Sequence, residues 1–100
     1  MNRLETTLKV GNQIVTAVSV SGFAKVVGKS RNTILRYERN GILPQAIFFV
    51  WGHRYYPKSL AVEVAPLIQK LPLNTKPPQE IISQINLLFT KEREKYAKSR

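Results

Sequence analysis

The chain opens with apolar and β-branched positions that recur every second residue. Leu8 to Val10 and Gln13 to Val20 are rich in Val, Ile and Thr and flank Gly11-Asn12. That dipeptide readily supplies a two-residue type II′ turn, so the pattern predicts an N-terminal β-hairpin. The period then lengthens. Ser21 precedes GFAKVV, a short helical pattern that a serine side chain can cap and that Gly28 should stop. Ser30 repeats the cap for RNTILRYERN, and Gly41 followed by Ile42, Leu43 and Pro44 closes that helix. In Gln45 to Tyr56 the run AIFFVWGHRYY gathers aromatic and β-branched residues around Gly52, which reads as a second hairpin whose apolar side chains belong to the core, the alternative being that Trp51, Phe48, Phe49 and Tyr55 form a stacking platform for single-stranded bases. Pro57 opens SLAVEVAPLIQKL, a helix that Pro66 should kink or divide. LPLNTKPP follows as a stiff linker. Pro78 suits the first position of a last helix, where Ile81, Ile85, Leu88 and Ile82, Phe89, Tyr96 form adjoining stripes.

The two short central helices meet a more specific demand. A helix-turn-helix needs a small residue where its helices cross and a glycine four residues later for the turn. It then needs apolar residues six and nine beyond that glycine to seat the second helix. Ala24, Gly28, Ile34 and Tyr37 satisfy all four. Turning 100° per residue from Arg31 sets Ile34 and Tyr37 at about 300° and 240°, while Arg31, Leu35, Arg39, Asn32 and Arg36 spread from 0° to about 140°. One face packs inward and the other carries Arg and Asn, whose bidentate geometry suits guanine and adenine edges in a major groove, with Leu35 set to touch a thymine methyl.

Charge strengthens that direction. Sixteen Lys and Arg stand against six acids, all Glu, for a net charge of +10. Residues 21–54 hold +5 of it and the tail KEREKYAKSR holds +3, so an acidic polymer is the leading partner. Lys91, Arg93, Lys95, Lys98 and Arg100 read as a solvated tail that adds nonspecific phosphate attraction.

The stretch VSVSGFAKVVGKSRNTILRYERNGILP followed by GHRYYPKSL resembles the winged helix-turn-helix domains of the MerR, AlpA and phage excisionase type, over about residues 18–71. Ser30, Thr33, Arg36, Tyr37, Gly41 and Pro44 take the family's Ser-x-x-Thr start, Arg-aromatic pair and Gly-x-x-Pro end. Gly52, His53, Arg54 and Tyr56 look like the wing and its approach to the next helix. Leu35 stands where MerR proteins carry Arg, so the chain is closer to AlpA, and metal or drug sensing is not implied.

The expected fold is mostly α with small β-hairpins: a winged helix-turn-helix with an extra N-terminal hairpin and a C-terminal helix. The expected organisation is an extension over 1–17, the domain over 18–71, a linker over 72–78, and a helix and basic tail over 79–100. The expected function is sequence-specific binding of double-stranded DNA by a small transcription regulator or excisionase-like factor of a phage or mobile element. Arg31, Asn32 and Arg36 would contact bases. Lys29, Tyr37, Arg39 and Arg54 would hold phosphates, as similar positions do in related domains. One such domain buries limited surface, so a homodimer or cooperative copies on DNA are expected. Genome packaging in the manner of small terminases, and a protein-interaction adaptor using the apolar hairpin and terminal helix, are the alternative functions. The terminal helix either forms a dimer seam or folds back over its own domain.

Other chemistries are poorly supplied. With no Asp, no Cys and one His, the chain lacks the groups for an enzyme, a cofactor, a small-molecule ligand or a zinc site at His53. The absence of cysteine fits a reducing compartment. The apolar run Ile42 to Gly52 falls short of the roughly 20 residues of a membrane span, and MNRLETTLKV has no signal-peptide core. A cytoplasmic protein of a bacterial cell, possibly phage-encoded, is the expectation.

Overall fold

A computed structural model describes residues 4–72 and 76–97. Strands β1 (Glu5–Val10) and β2 (Gln13–Ser19) form the expected first hairpin. Val10 lies opposite Gln13 and Gly11 has φ 61°, the left-handed entry that a two-residue primed turn requires. Helices α1 (Val20–Val27) and α2 (Arg31–Arg39) follow, then β3 (Phe48–Val50), β4 (His53–Pro57), α3 (Lys58–Gln69) and α4 (Gln79–Ala97).

The N-terminal hairpin is not an appendage. β2 pairs with β4 through Ala17↔Pro57, Val18↔Tyr56 and Ser19↔Tyr55, which joins both hairpins into one antiparallel sheet of order β1-β2-β4-β3. A boundary after residue 17 therefore falls inside β2. The described residues form a mixed α/β fold of four helices and a four-stranded sheet, more sheet-rich than the mostly α expectation. The reason lies in the end of β2, where Ala17 and Val18 are buried and pair with β4 as well as β1, since buried backbone groups need hydrogen-bond partners.

Capping sets the helix limits. Ser19, not Ser21, caps α1, accepting a hydrogen bond from the Gly22 amide at 3.2 Å. Val20 is buried and already helical, so the cap must lie before it. Gly22 admits no side chain, because a Cβ there would meet the Leu4 carbonyl oxygen, which also accepts from the Ser19 amide at 3.0 Å. Gly28 ends α1 with φ 75°, and the Lys29 amide bonds back to the Ala24 carbonyl at 2.9 Å, the Schellman closure of a left-handed stop. Ser30 caps α2 through the Thr33 amide at 3.1 Å.

Pro66 does not divide α3, which runs unbroken from Lys58 to Gln69. The carbonyl it deprives is that of Val62, and both residues face solvent, where water can take the lost hydrogen bond. Pro78 precedes α4 instead of occupying its first position, and its carbonyl accepts from the Ile82 amide at 3.3 Å.

Val18, Phe23, Val27, Ile34, Tyr56, Leu60, Val64, Ile68, Ile85 and Phe89 meet in one core. The Tyr56 ring lies between Phe23, at 4.3 Å between centroids, and Phe89, at 6.3 Å. Through Ile85 and Phe89 the terminal helix folds back on its own domain.

Candidate nucleic-acid interface

α2 is short and strongly two-sided. Ile34 is fully buried and Tyr37 is 5% exposed, seated against α1, where Ala24 is also buried. Arg31, Asn32, Arg36 and Arg39 are all exposed, and among the described residues none of these four side chains has a hydrogen bond or ion pair. Lys29, in the turn before the helix, is half-buried. The expected basic face therefore exists as a surface, with one exception. Leu35 is half-buried and packs on the core, although its angle of about 40° lies between those of the exposed Arg31 and Arg39.

The only acid on α2 is held by an arginine of β4. Glu38 receives Arg54 Nε at 3.0 Å on each carboxylate oxygen, and Arg54 Nη2 approaches Oε1 at 2.9 Å. The Glu38 side chain is 14% exposed, so this bidentate pair ties the β3–β4 ribbon to α2 and removes the acid from the outer surface. The sequence alone gives Glu38 no role beyond its negative charge. Its partner lies 16 residues away, and no local pattern links them.

Two of the side chains expected at phosphates also have partners within the fold. Arg54, whose side chain stays 38% exposed, pairs with Glu38 and ties the ribbon to α2. Tyr37 belongs to the core, and its carbonyl receives the amides of Ile42 at 2.9 Å and Leu43 at 3.2 Å to end α2.

Arg31 and the ribbon face a common space. An open cleft of about 420 Å³ is lined by Ser21 at the start of α1, Arg31, Gly52, His53 and Arg54. The ribbon itself differs from the packed hairpin that its composition suggested. Trp51 is 94% exposed and Phe49 is 56% exposed, while Phe48 stacks edge-on against Tyr96 of α4 at 5.1 Å between centroids. Three strand residues and a two-residue turn carry the ribbon past the edge of the core, so its tip has nothing to pack on. No local pattern gives this exposure, because the first position of such a turn favours Asn, Asp or Gly over an aromatic side chain.

The second basic focus is not a free tail. Through Ala97 it is helical, with Arg93 donating to the Gln45 carbonyl at 2.9 Å and Lys95 reaching Glu92 at 3.5 Å. Lys98 and Arg100 lie outside the described residues. Among the described residues there is no cluster of three or more His, Cys, Asp or Glu able to hold a metal, and no helix is long and apolar enough to cross a membrane.

Comparison of the chain with protein-family models, with curated proteins and with solved structures gives no match.

Proposed function

We propose that this chain is a sequence-specific double-stranded DNA-binding protein of winged helix-turn-helix type, in which α2 enters the major groove beside the β3–β4 ribbon. The observation that carries this reading is the outer face of α2. Arg31, Asn32, Arg36 and Arg39 project from a helix anchored by Ile34 and Tyr37, with no internal partner among the described residues and no acid among them. Arginines that serve the fold are paired within it, as Arg54 is with Glu38; unpaired arginines on a rigid helix are ready for an external acceptor.

In this reading Arg31, Asn32 and Arg36 contact base edges, and Lys29 and Arg39 hold phosphates. The protein performs no chemistry of its own. Its role is that of a small regulator or excisionase-like factor acting on DNA in the cytoplasm, with neighbouring copies on the DNA supplying the affinity that one small interface lacks.

Affinity for duplex DNA measured across salt tests the reading. The logarithm of affinity should fall linearly with that of salt, by about 0.9 in slope per phosphate neutralised. On a site selected from a random library, Arg31→Ala, Asn32→Ala and Arg36→Ala should narrow the gap to scrambled DNA by about 1–3 kcal/mol each. Lys29→Ala and Arg39→Ala should weaken both DNAs together. A salt-independent affinity, or five silent substitutions, would overturn the proposal in favour of a protein-interaction adaptor.

A further inference from the structure

We infer that Trp51 is a wedge, which enters a base step of duplex DNA beside the groove that α2 occupies. The inference rests on the DNA-binding reading and goes beyond it, since α2 alone needs no aromatic contact and no deformation of the duplex.

Trp51 is the single tryptophan of the chain and stands 94% exposed. Packing does not account for it, because its removal would leave no cavity. Turn geometry does not account for it either. With Trp51 at φ 52° and Gly52 at φ 80° between the paired residues Val50 and His53, the loop is of the type I′ form. Its first position favours Asn, Asp or Gly and disfavours a bulky side chain. What remains is a contact outside the chain.

The surroundings define that contact. Gly52 and His53, next in sequence to the ring, line one cleft with Arg31, and the basic face of α2 continues from Arg31 to Arg39. A partner that reaches the ring therefore also meets a row of cations, and must be anionic while offering flat apolar surface. Nucleic acid has both. Its form follows from the number of free rings. Sequence-tolerant binding of single strands uses a series of rings on which successive bases stack. Here Phe48 is engaged by Tyr96 and Tyr55 is half-buried, so one ring is fully free, at the end of a ribbon two strands wide. Phe49, directly across from Arg54, is set back from the tip. A lone apolar side chain on a narrow projection is the form that parts one base step and kinks the duplex, by roughly 20–90° in known architectural proteins.

Because Trp51 is the only tryptophan, its fluorescence reports the tip and nothing else. The full-length chain is titrated with a short mixed-sequence duplex, with the corresponding single strand and with vesicles containing anionic lipid. Acrylamide quenching and binding are followed together, and 2-aminopurine in the DNA reports unstacking. We expect the duplex to shield Trp51 from acrylamide severalfold, 2-aminopurine to brighten, and end-to-end energy transfer to show a bend. Trp51→Asn, suited to the turn, should abolish the brightening and the bend and weaken binding by about 5- to 150-fold, the equivalent of ~1–3 kcal/mol for one base–aromatic stack. A duplex that binds while Trp51 stays as accessible as in the free chain, or that Trp51→Asn bends equally well, overturns the wedge and leaves the DNA reading standing. Stronger shielding by single strands or by vesicles assigns the tip to those partners and overturns it too. No binding to duplex under any salt condition overturns both.

Discussion

Ile34 and Arg36 are two residues apart on one helix, and their contrasting surroundings decide which way α2 faces. Ile34 is fully buried between α1 and the core, whereas Arg36 is exposed and unpartnered among the described residues. Truncating Ile34 to Ala removes buried methylenes and leaves a cavity, at a cost of about 2–5 kcal/mol, a large share of the stability of a small domain. Arg36→Ala should shift stability by no more than about 0.5 kcal/mol. Urea or thermal melts of the two variants check the assignment, and a silent Ile34→Ala beside a damaging Arg36→Ala would invert the helix. At this scale the seating residues were legible from spacing, because a 3.6-residue period fixes which side chains share a face. Leu35 shows the limit. By angle it lies between Arg31 and Arg39, yet it packs on the core, and the angle alone does not say how far the neighbouring elements reach around the helix.

Among the elements, α4 is the one whose role the sequence leaves open between a dimer seam and a fold-back. Ile85 and Phe89 are fully buried, and Phe89 meets the Tyr56 ring. Removing residues 79–100 would expose Tyr56 and the face of α3 that packs on α4. Each large apolar side chain buried contributes about 1.5–3 kcal/mol, so the truncated chain should lose its cooperative melt and its near-ultraviolet circular dichroism. A truncation that melts like the full chain would make α4 an accessory. Arg93 and Glu92 follow from the same docking. One reaches the Gln45 carbonyl, and the other is a buried carboxylate held by Tyr96 Oη at 3.1 Å and Lys95.

For the whole molecule, the coupling of two tyrosines to the fold gives a signature at alkaline pH. Burial, the charge of Glu92 and the hydrogen bond to it push the Tyr96 phenol up from its ordinary 10.0 to about 12. Burial first, then Glu38, pushes Tyr56 higher still, with Arg54 opposing. The folded state thus holds these protons more tightly than the unfolded chain does. The stability linked to Tyr96 is fully present below pH 10 and is lost as the pH rises towards about 12. Urea midpoints should fall across that window, and tyrosinate absorbance should appear later in the folded chain than in urea. Tyr96→Phe should flatten the fall. A midpoint that is constant across the window would show both rings to be solvated.

Composition and periodicity by themselves determined the basic character of the chain, both hairpin turns, the stops at Gly28 and Gly41 and the inward pair Ile34 and Tyr37. Each of these is a local matter: a φ that only certain residues adopt readily, a cap, or a helical period. The tertiary structure alone decided the rest. It joined the N-terminal hairpin to β4, moved the α1 cap to Ser19, laid α4 on its own core, paired Arg54 with Glu38 and left Trp51 in solvent. Those outcomes depend on contacts between residues far apart in the chain. The same aromatic, acid or base is core, tether or surface according to which element arrives beside it, and no residue's own neighbours in sequence carry that information.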